Sequence, residues 1–329
     1  MPQAEESLTE QPRRFLSIDI FRGLTVLLMV VVNSIQPFDN VPAWTKHAGD
    51  YGLTYVDLVA PFFVFMLALT FNTSYKQRVQ KEGKKKAWLR YIRRFLIFIG
   101  IGLILTIYID VNEFYFRWGT LQVLGTSGLM LLPLLGLKPY IKLIFAIAFM
   151  SLHQFLLFTP VNILIYESIE GGILGIFSWG SMMILSSFLA KGLDKEKEYV
   201  RKHFLFGGLI CLIFGIGSAF FLGISRAYIS LPYILISVGI ASVFYCFLYY
   251  IYEIWCTNYS FAKKERIFSA IGKNAFIFYL IHIVIAYVIF TIFPFDTPSI
   301  IVFLFVFLHA AFIWITAYYL NKMKIFIII

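Results

Sequence analysis

Charged residues are scarce in this chain. Only 14% of its 329 residues are Asp, Glu, Lys or Arg, whereas 60% are hydrophobic and 19% are aromatic. The mean hydropathy is +0.81. A soluble domain of this length could not cover so much apolar surface. The composition therefore excludes a soluble enzyme and predicts a polytopic membrane protein.

Cysteine is also rare, with three residues in the whole chain. Cys211 and Cys246 fall within predicted spans and Cys256 at a cytoplasmic end, so none is placed to pair across an outer loop. The five histidines show no metal-ligand spacing. We therefore predict no disulfide and no metal site. A Walker loop, a dinucleotide fingerprint and a GxSxG motif are also missing, which argues against the enzyme classes built on them.

Long apolar runs dominate what is present. Ten of them have about the length that a bilayer core requires. They are 17–36, 53–72, 88–109, 119–137, 139–158, 172–190, 204–224, 231–252, 271–293 and 299–321. We predict an all-α membrane protein of about ten transmembrane helices, with a single transmembrane domain over 15–329 and a polar cytoplasmic segment over 1–14. Charged residues at the start of the first run argue against a cleaved signal peptide.

The net charge of +10 is distributed very unevenly. Of the 28 Lys and Arg residues, 24 fall on one side of the predicted membrane, in segments outside the spans or at the adjoining span ends, and only Lys46, Arg117 and Arg226 fall on the other. Arg22 lies within the first span. By the positive-inside rule, both termini should be cytoplasmic and the loop containing His47 should face outward. The basic clusters then orient the chain and contact anionic membrane lipid, so we expect no nucleic-acid partner.

The first span carries a polar group near each end. Asp19 and Arg22 are three residues apart and share a helix face, so they can form an ion pair. Such a pair explains their presence as well as a ligand would. Asn33 follows fourteen residues after Asp19, roughly 21 Å higher along a helix axis. It could cap the helix or bond to a neighbouring one.

The segment from His47 to Pro61 places one imidazole and two carboxylates where a membrane helix meets water. Polar groups in that position indicate chemistry or transport. Thr54 and Asp57 have the spacing of a capping box, which would give the acid a structural role. His47 has no comparable structural explanation, and imidazole suits proton transfer near neutral pH.

A third polar group opens the ninth span. Gly272, Lys273 and Asn274 at a helix start form a weak anion site on the cytoplasmic side. His282 lies about two turns deeper on a similar face. Either a structural hydrogen bond or a functional role would explain this histidine.

Taken together, these segments resemble the heparan-α-glucosaminide N-acetyltransferase family. The resemblance is carried by Ser17-Ile18-Asp19-Ile20-Phe21-Arg22-Gly23, Val32-Asn33, and His47-Ala48 with Gly52-Leu53-Thr54 and Asp57-Leu58-Val59-Ala60-Pro61. The family's usual pattern there is S-x-D-x-x-R-G, V-N and H-A-x-W-N-G-L-T-x-x-D-L-V-F-P. Later segments are similar to the family's G-x-L-Q-x-x-G (Gly119, Leu121, Gln122, Gly125) and G-x-N…H (Gly272, Asn274, His282). The matches run from the first span to the ninth.

The resemblance implies a transmembrane N-acetyltransferase. Such an enzyme moves an acetyl group from cytoplasmic acetyl-CoA to an amino sugar, such as glucosamine, on the outer side. His47 would then be the catalytic residue, either as a general base or as a transient acetyl acceptor. Asn33 would lie beside the reacting groups and donate to a developing oxyanion. Asp57 would orient His47 or the substrate ammonium.

The resemblance also divides the remaining polar residues between two substrates. We expect coenzyme A to enter from the basic face, where its phosphates would meet Lys or Arg side chains. The residues predicted to bind this acetyl donor are Asp19, Arg22, Lys273, Asn274 and His282. Those predicted to bind the amino sugar are Asp50, Tyr51, Arg117 and Gln122. The family's Trp-Asn is replaced here by Asp50-Tyr51, at the predicted mouth for the acceptor.

Two other functions fit the same residues. A transporter of a sugar or organic acid also needs about ten spans and polar groups at membrane depth. It would move its substrate without coenzyme A. An O- or N-acyltransferase acting on a cell-envelope glycan would share the donor chemistry. The sequence shows no counterpart of the animal enzyme's large lumenal domain, which favours a prokaryotic plasma membrane. A homodimer is compatible with the sequence, which supplies no interface argument.

Overall fold

The computed structural model describes residues 15–109, 114–193, 197–256, 259 and 265–327. The predicted cytoplasmic segment 1–14 lies outside these residues. Within them the chain is helical almost throughout. The helices are α1 (Leu16–Ile35), α2 (Val59–Glu82), α3 (Lys84–Leu105), α4 (Thr120–Leu131), α5 (Pro139–Leu156), α6 (Ile163–Tyr166), α7 (Gly175–Leu189), α8 (Lys197–Val200), α9 (Gly207–Leu222), α10 (Leu231–Tyr249), α11 (Phe268–Lys273), α12 (Ala275–Ile292) and α13 (Ser299–Lys322).

Shorter elements join these helices. Single 3-10 turns are Ala43–Thr45, Tyr55–Leu58, Leu132–Leu134, Pro160–Asn162, Ile169–Gly171 and Ala190–Gly192. Two π-helical turns, Arg201–Phe206 before α9 and Tyr250–Trp255 after α10, lengthen those helices. The turn Tyr55–Leu58 leads directly into α2, and Ile169–Gly171 lies in the connection between α5 and α7. These two turns carry residues of the site described below.

Each of the ten predicted spans overlaps a helix. Among the described residues, seven helical segments are long and apolar enough to cross a membrane: Leu16–Ile35, Tyr55–Glu82, Pro139–Leu156, Lys197–Leu222, Leu231–Trp255, Ala275–Ile292 and Ser299–Lys322. The apolar helices at α4 and α7 are shorter, and α3 begins in a run of Lys and Arg. The protein is therefore an integral membrane protein of helical fold, while the count of ten spans stays a prediction.

A small hairpin interrupts the helical fold after α3. Strand β1 (Ile107–Ile109) pairs antiparallel with β2 (Phe114–Phe116), with Ile107 opposite Phe116. The third span was expected to stay helical to residue 109, and that part of the prediction is wrong because α3 ends at Leu105. Alternating Ile, Tyr and Phe residues favour a strand over a helix here.

Helices differ sharply in how much of their surface the protein covers. The apolar windows of α1, α2 and α10 are 61–67% buried, whereas those of α9 and α12 are only 17% buried. On α9 the side chains of Phe220 and Phe221 are 83% and 90% exposed. Exposed apolar faces of this extent fit a lipid environment. The buried helices form the interior of the bundle, and the polar site lies against them.

Two glycines allow α1 to cross α11 at backbone contact. A Cβ atom on Gly23 would overlap the carbonyl group of Phe268, and a Cβ on Gly272 would overlap that of Asp19. Small residues permit this close approach of helices in membranes. The glycines of the two polar motifs at Asp19 and Lys273 therefore have a packing role, independent of any ligand.

The polar segments separate into two ends of the bundle. At one end, which we call the His47 end, Gly52 N–H donates to Ile224 O over 2.8 Å and Asp39 N–H donates to Phe295 O over 2.7 Å. At the other, which we call the basic end, the backbone N–H of Ser17 donates to Glu253 over 3.0 Å. The loops on either side of these bonds are thereby tied together. Which end faces the cytoplasm stays a prediction.

Candidate active site

His47 and Asp57 form the centre of the site. His47 lies in the connection between α1 and α2, and Asp57 lies in the 3-10 turn that leads into α2. The Nδ1 atom of His47 is 2.7 Å from Oδ1 of Asp57. An ionised carboxylate accepts from Nδ1–H and selects the tautomer in which Nε2 carries a lone pair. His47 can therefore take a proton or attack an electrophile through Nε2.

The second oxygen of Asp57 stabilises the loop itself. Oδ2 accepts from the backbone N–H of Thr54 at 2.8 Å and from that of Ala48 at 3.3 Å. These bonds confirm the predicted capping box of Thr54 and Asp57. The Tyr233 hydroxyl of α10 donates to the Asp57 carbonyl over 2.7 Å. One buried carboxylate thus both caps a helix turn and orients His47.

A pocket opens beside this pair. Its lining includes His47, Asp57 and Asn33, so the structure brings together the three residues predicted to be catalytic. The cavity volume is about 70 Å³, enough for a few water molecules or a small reacting group. The remaining lining residues are Met29, Val32, Val56, Val59, Ala60, Phe63, Thr120, Glu170, Arg226 and Tyr279. The pocket therefore joins the end of α1 and the start of α2 with the first residue of α4, with α12, and with the α5–α7 and α9–α10 connections.

Asn33 is oriented by a histidine on α12. Its Nδ2 lies 3.0 Å from Nε2 of His282, and Nδ1 of His282 lies 2.8 Å from the carbonyl oxygen of Tyr279. Because a carbonyl can only accept, Nδ1 of His282 carries the proton and Nε2 accepts from Asn33. One N–H of the Asn33 amide is then committed to His282, and the other is available to the pocket.

His282 was predicted to bind the donor, and the structure places it next to Asn33. Its ring stacks on His309 of α13, with the centroids 6.2 Å apart. His309 in turn lies 3.0 Å from the hydroxyl of Ser34 through Nδ1. Both histidines are almost fully buried. This arrangement supports the end of α1 that carries Asn33.

Glu170 and Arg226 are pocket residues that the sequence did not indicate. They form an ion pair between the α5–α7 and α9–α10 connections. Glu170 belongs to no motif in the sequence, and Arg226 counted only as one of three basic residues on the sparse side of the predicted membrane. Two signals could have identified them. One is an isolated acid before Gly171 and Gly172, and the other is a basic residue on the side of the predicted membrane where few occur.

The residues predicted to form the acceptor mouth lie beside the pocket. The ring of Tyr51 is 63% exposed and makes an edge contact with Tyr228, with centroids 5.7 Å apart. Tyr228 also packs on Tyr166 at 4.2 Å. Burial, and then the hydrogen-bonded carboxylate of Asp50, raise the pKa of Tyr228. Asp50 and Tyr51 therefore belong to an aromatic rim at the His47 end.

Gln122 and Arg117, also predicted to bind the acceptor, do not line the pocket. The Gln122 amide donates to Thr106 Oγ1 over 2.9 Å and to the Arg117 carbonyl over 3.2 Å, and it accepts from Gly119 N–H. It is fully buried. These bonds hold the small hairpin against α4. The neighbouring Thr120 is the residue from this segment that reaches the pocket.

The residues predicted to bind the donor lie mostly at the basic end. Arg22 is 3.5 Å from Asp19, as their spacing predicted, and also donates to the Gly272 carbonyl over 3.3 Å. Asp19 is 4% exposed. This ion pair lies on the same helix as Asn33, eleven or more residues below it. The donor-binding role of these residues stays a prediction.

Lys273 and Asn274 contact the end of the described chain. The Lys273 ammonium donates to Asn321 over 3.0 Å. The Asn274 amide donates to the Ile325 carbonyl over 3.0 Å and accepts from Ile327 N–H at 2.8 Å. Asn274 is 1% exposed. These bonds explain Lys273 through its contact with α13 and Asn274 through the packing of segment 325–327. That the two residues bind a donor stays a prediction.

A cluster of arginines stands out at the basic end. Arg94 of α3 lies within electrostatic reach of Arg22 and Arg78. Its guanidinium lies over the ring of Phe98, 5.6 Å from the centroid. In the described parts of the chain, the buried Nε atom of Arg94 has no hydrogen-bond partner. Arg22 pairs with Asp19, and Arg78 pairs with Glu82 over 3.2 Å. The unsatisfied donor of Arg94 is therefore the feature of this cluster that suits an anion.

Residues that could hold a metal do not converge in the part of the chain that the structure describes, since no group of three or more His, Cys, Asp or Glu side chains forms there. The three cysteines are free thiols, two of them buried. The pocket chemistry described above depends on an imidazole, an amide and carboxylates.

Comparison with known proteins identifies a family and two relatives. Residues 14–284 match the family model described as heparan-alpha-glucosaminide N-acetyltransferase, catalytic. The chain is 36% identical over 147 residues to the heparan-alpha-glucosaminide N-acetyltransferase of Homo sapiens, covering 40% of this chain and 21% of the human protein. It is 33% identical over 102 residues to the Mus musculus protein of that name, covering 30% and 15%. The matched segments thus span about a fifth or less of these relatives.

Proposed function

Because the chain belongs to the heparan-alpha-glucosaminide N-acetyltransferase family, we propose that it transfers an acetyl group from cytoplasmic acetyl-CoA to the amine of an amino sugar, glucosamine-like, at the His47 end. The observation that carries the proposal is the hydrogen-bonded His47–Asp57 pair in one pocket with Asn33. A base with a fixed tautomer beside an amide donor is what acyl transfer to an amine requires.

The donor would bind along α1. Its phosphates would meet the arginine cluster of Arg22, Arg78 and Arg94 at the basic end, where charge-assisted bonds are strong. Arg22 lies eleven residues below Asn33, about 16 Å along a helix axis. Phe98 of α3 packs on Phe276 of α12, and Phe63 of α2 packs on Tyr279 of α12. A thin pantetheine arm would run between such apolar side chains.

In the transfer step, the neutral amine attacks the thioester carbonyl. Nε2 of His47 takes the proton that the amine nitrogen loses, and Asp57 stabilises the imidazolium that forms. The free N–H of Asn33 donates to the developing oxyanion. The carbon–sulfur bond then breaks, coenzyme A leaves as the thiolate and receives a proton, and the amide remains on the sugar.

We propose direct transfer over an acetyl-histidine intermediate. His47, Asn33 and the ion pair of Glu170 with Arg226 line one pocket, so the thioester carbonyl of the donor and the nitrogen of the acceptor can meet there. Direct transfer predicts that labelled coenzyme A does not exchange into acetyl-CoA until the acceptor is added. Rapid exchange without acceptor would instead establish an acetyl-enzyme.

The test is turnover by the protein purified in detergent. Release of coenzyme A from acetyl-CoA is measured with and without glucosamine, for the wild type, His47→Ala and His203→Ala. His203 is the matched control. Its Nδ1 lies 2.9 Å from the carbonyl oxygen of Tyr199, and it does not line the pocket. We expect coenzyme A release to require both glucosamine and His47, and to be retained in the His203→Ala variant.

Other outcomes have defined meanings. Acetyl-CoA binding without turnover on glucosamine would retain the donor and direct the search to other acceptors, including amine or hydroxyl groups of a cell-envelope glycan. Near-native turnover by His47→Ala would show that His47 is not the general base. The absence of any acetyl-CoA binding would favour a transporter, which moves its substrate without a thioester.

The proposed orientation follows from charge. With the basic end in the cytoplasm, the arginine cluster meets the compartment that supplies acetyl-CoA, and the pocket opens on the opposite side. A prokaryotic plasma membrane is the proposed location. Cysteine-accessibility labelling of intact cells at Tyr51→Cys, whose side chain is exposed at the His47 end, would show which side that end occupies.

A further inference from the structure

We propose that Glu170 is the residue that recognises the acceptor's ammonium group and selects amines over alcohols. The inference rests on the proposed function, because it names what binds on the acceptor side of the same pocket. It is carried by four features of Glu170: burial, an unpartnered oxygen, backbone conformation and the charge around it.

Glu170 is a buried carboxylate with one oxygen in use and one not. The side chain is 4% exposed, and Oε1 pairs with the Arg226 guanidinium. Among the residues that the structure describes, buried Oε2 has no hydrogen-bond partner. A buried acceptor without a donor is costly unless something binds it. Because Glu170 lines the pocket with His47 and Asn33, a bound substrate is the natural source of that donor.

The backbone holds Glu170 in a conformation that side chains rarely adopt. Its φ and ψ are 54° and 29°, in the left-handed region, and Gly171 and Gly172 follow with positive φ as well. The Trp179 indole donates to the Glu170 carbonyl over 3.3 Å and helps to fix this turn. Strained residues held by their surroundings cluster at ligand sites. The strained backbone of Glu170 is consistent with a carboxylate that is held in a fixed position for a ligand.

The charges of the pocket favour a cation. Two carboxylates, Asp57 and Glu170, line it with a single guanidinium, Arg226. With His47 neutral, the lining carries one net negative charge. An ammonium group donates three hydrogen bonds and complements that charge, whereas a hydroxyl supplies one proton and no charge. Glu170 would bind the acceptor as its ammonium, which passes one proton to solvent before the neutral amine attacks. His47 then takes the second proton, which the nitrogen loses on attack.

The test compares two sugars that differ at one position. Glucosamine carries an ammonium where glucose carries a hydroxyl, so the KM for glucosamine and the inhibition constant of glucose measure the preference for charge. In the wild type we expect glucose to inhibit at least tenfold more weakly than glucosamine binds. Glu170→Gln should raise the KM for glucosamine about ten- to hundredfold, the usual effect of losing a charged hydrogen bond. Glucose inhibition and acetyl-CoA affinity should stay unchanged.

Further variants keep the test interpretable. Glu170→Asp retains the charge and should restore much of the preference. Should Glu170→Gln fail to fold because Arg226 is left unpaired, Glu170→Gln combined with Arg226→Gln replaces both charges by amides of similar size. That pair of substitutions should also remove the preference. Elution as a single species in detergent and unaltered acetyl-CoA affinity report folding in each variant.

Three outcomes decide the inference. Loss of the ammonium preference with donor affinity retained supports it. A wild type that acetylates glucosamine and a Glu170→Gln variant that keeps the preference would overturn it and leave the proposed acetyltransferase intact. A wild type that neither binds nor acetylates glucosamine would overturn the proposed acceptor, and this inference with it.

Discussion

Nδ1 of His47 lies 2.7 Å from Oδ1 of Asp57, although the two residues belong to different elements, a loop and a helical turn. The carboxylate reaches the imidazole because its other oxygen is anchored by backbone N–H groups of the same loop. Stability of the loop and orientation of the base are therefore coupled through one side chain. Substitutions near this pair should therefore change activity and stability to different degrees.

Asp57→Asn should abolish most activity with a smaller loss of stability. An amide cannot replace the charge that stabilises the imidazolium, and by analogy with other acid–histidine pairs kcat should fall about 10²- to 10⁴-fold. Part of the capping can survive, because the amide oxygen still accepts. Steady-state kinetics and thermal unfolding in detergent measure the two effects. Asp39→Asn, at a side chain 73% exposed, is the control, and an unchanged kcat in Asp57→Asn would contradict the assigned role.

Asn33→Ala should lower kcat by about 10²- to 10³-fold, the usual effect of removing one oxyanion donor. His282→Ala should lower it less, because His282 acts by orienting the Asn33 amide through their 3.0 Å contact. The double variant should then resemble Asn33→Ala alone, as residues acting through one another are not additive. Additive losses in a double-mutant cycle would show that His282 acts independently.

Gly23→Ala and Gly272→Ala should each destabilise the protein by about 1–3 kcal/mol, the usual cost of an overpacked contact. In both cases the added methyl would meet a backbone carbonyl, which cannot rotate away. The matched control is Gly217→Ala on α9, where no atom lies within 4 Å of the new Cβ. Thermal unfolding measures the difference. Equal stability of the three variants would mean that α1 and α11 can separate without cost.

Arg94→Gln should weaken acetyl-CoA binding about tenfold and reduce its salt dependence, since one charge-assisted contact to a phosphate is lost. Arg90→Gln on the same helix should have little effect, because Arg90 is 55% exposed and pairs with Glu82. Binding is measured by calorimetry at two salt concentrations. Equal affinities for the two variants would place the phosphates elsewhere.

The sequence predicted best what is local. His47 and Asp57 are ten residues apart, within one loop and the turn that follows it. The family resemblance suggested that Asp57 orients His47, and the short interval allows the contact. The capping box of Thr54 and the Asp19–Arg22 pair were likewise predicted from three-residue intervals and are present. Helix positions followed from the length of apolar runs, since lipid-facing and buried surfaces are both apolar in a membrane protein.

Contacts between distant loops could not be predicted in the same way. Glu170 and Arg226 are 56 residues apart, and no periodicity relates two irregular connections. Asn274 at the start of α12 had the pattern of an anion site, yet its amide binds segment 325–327, a partner that no local pattern reveals. Gln122 similarly holds a hairpin where a helix had been predicted to continue. Tertiary partners decided the role in each case.

Helix α1 carries Arg22 near one end and Asn33 near the other, so under the proposed function it fixes the distance between the donor's phosphates and its thioester. The rise from Arg22 to Asn33 is set by eleven helical residues and does not change with the substrate. A thioester is presented at His47 only if the arm between its phosphates and its sulfur has the matching length. Short thioesters without that arm would be poor donors despite equal reactivity. The acetyl group would also cross the membrane vectorially, moved along the donor's arm while the helices stay in place.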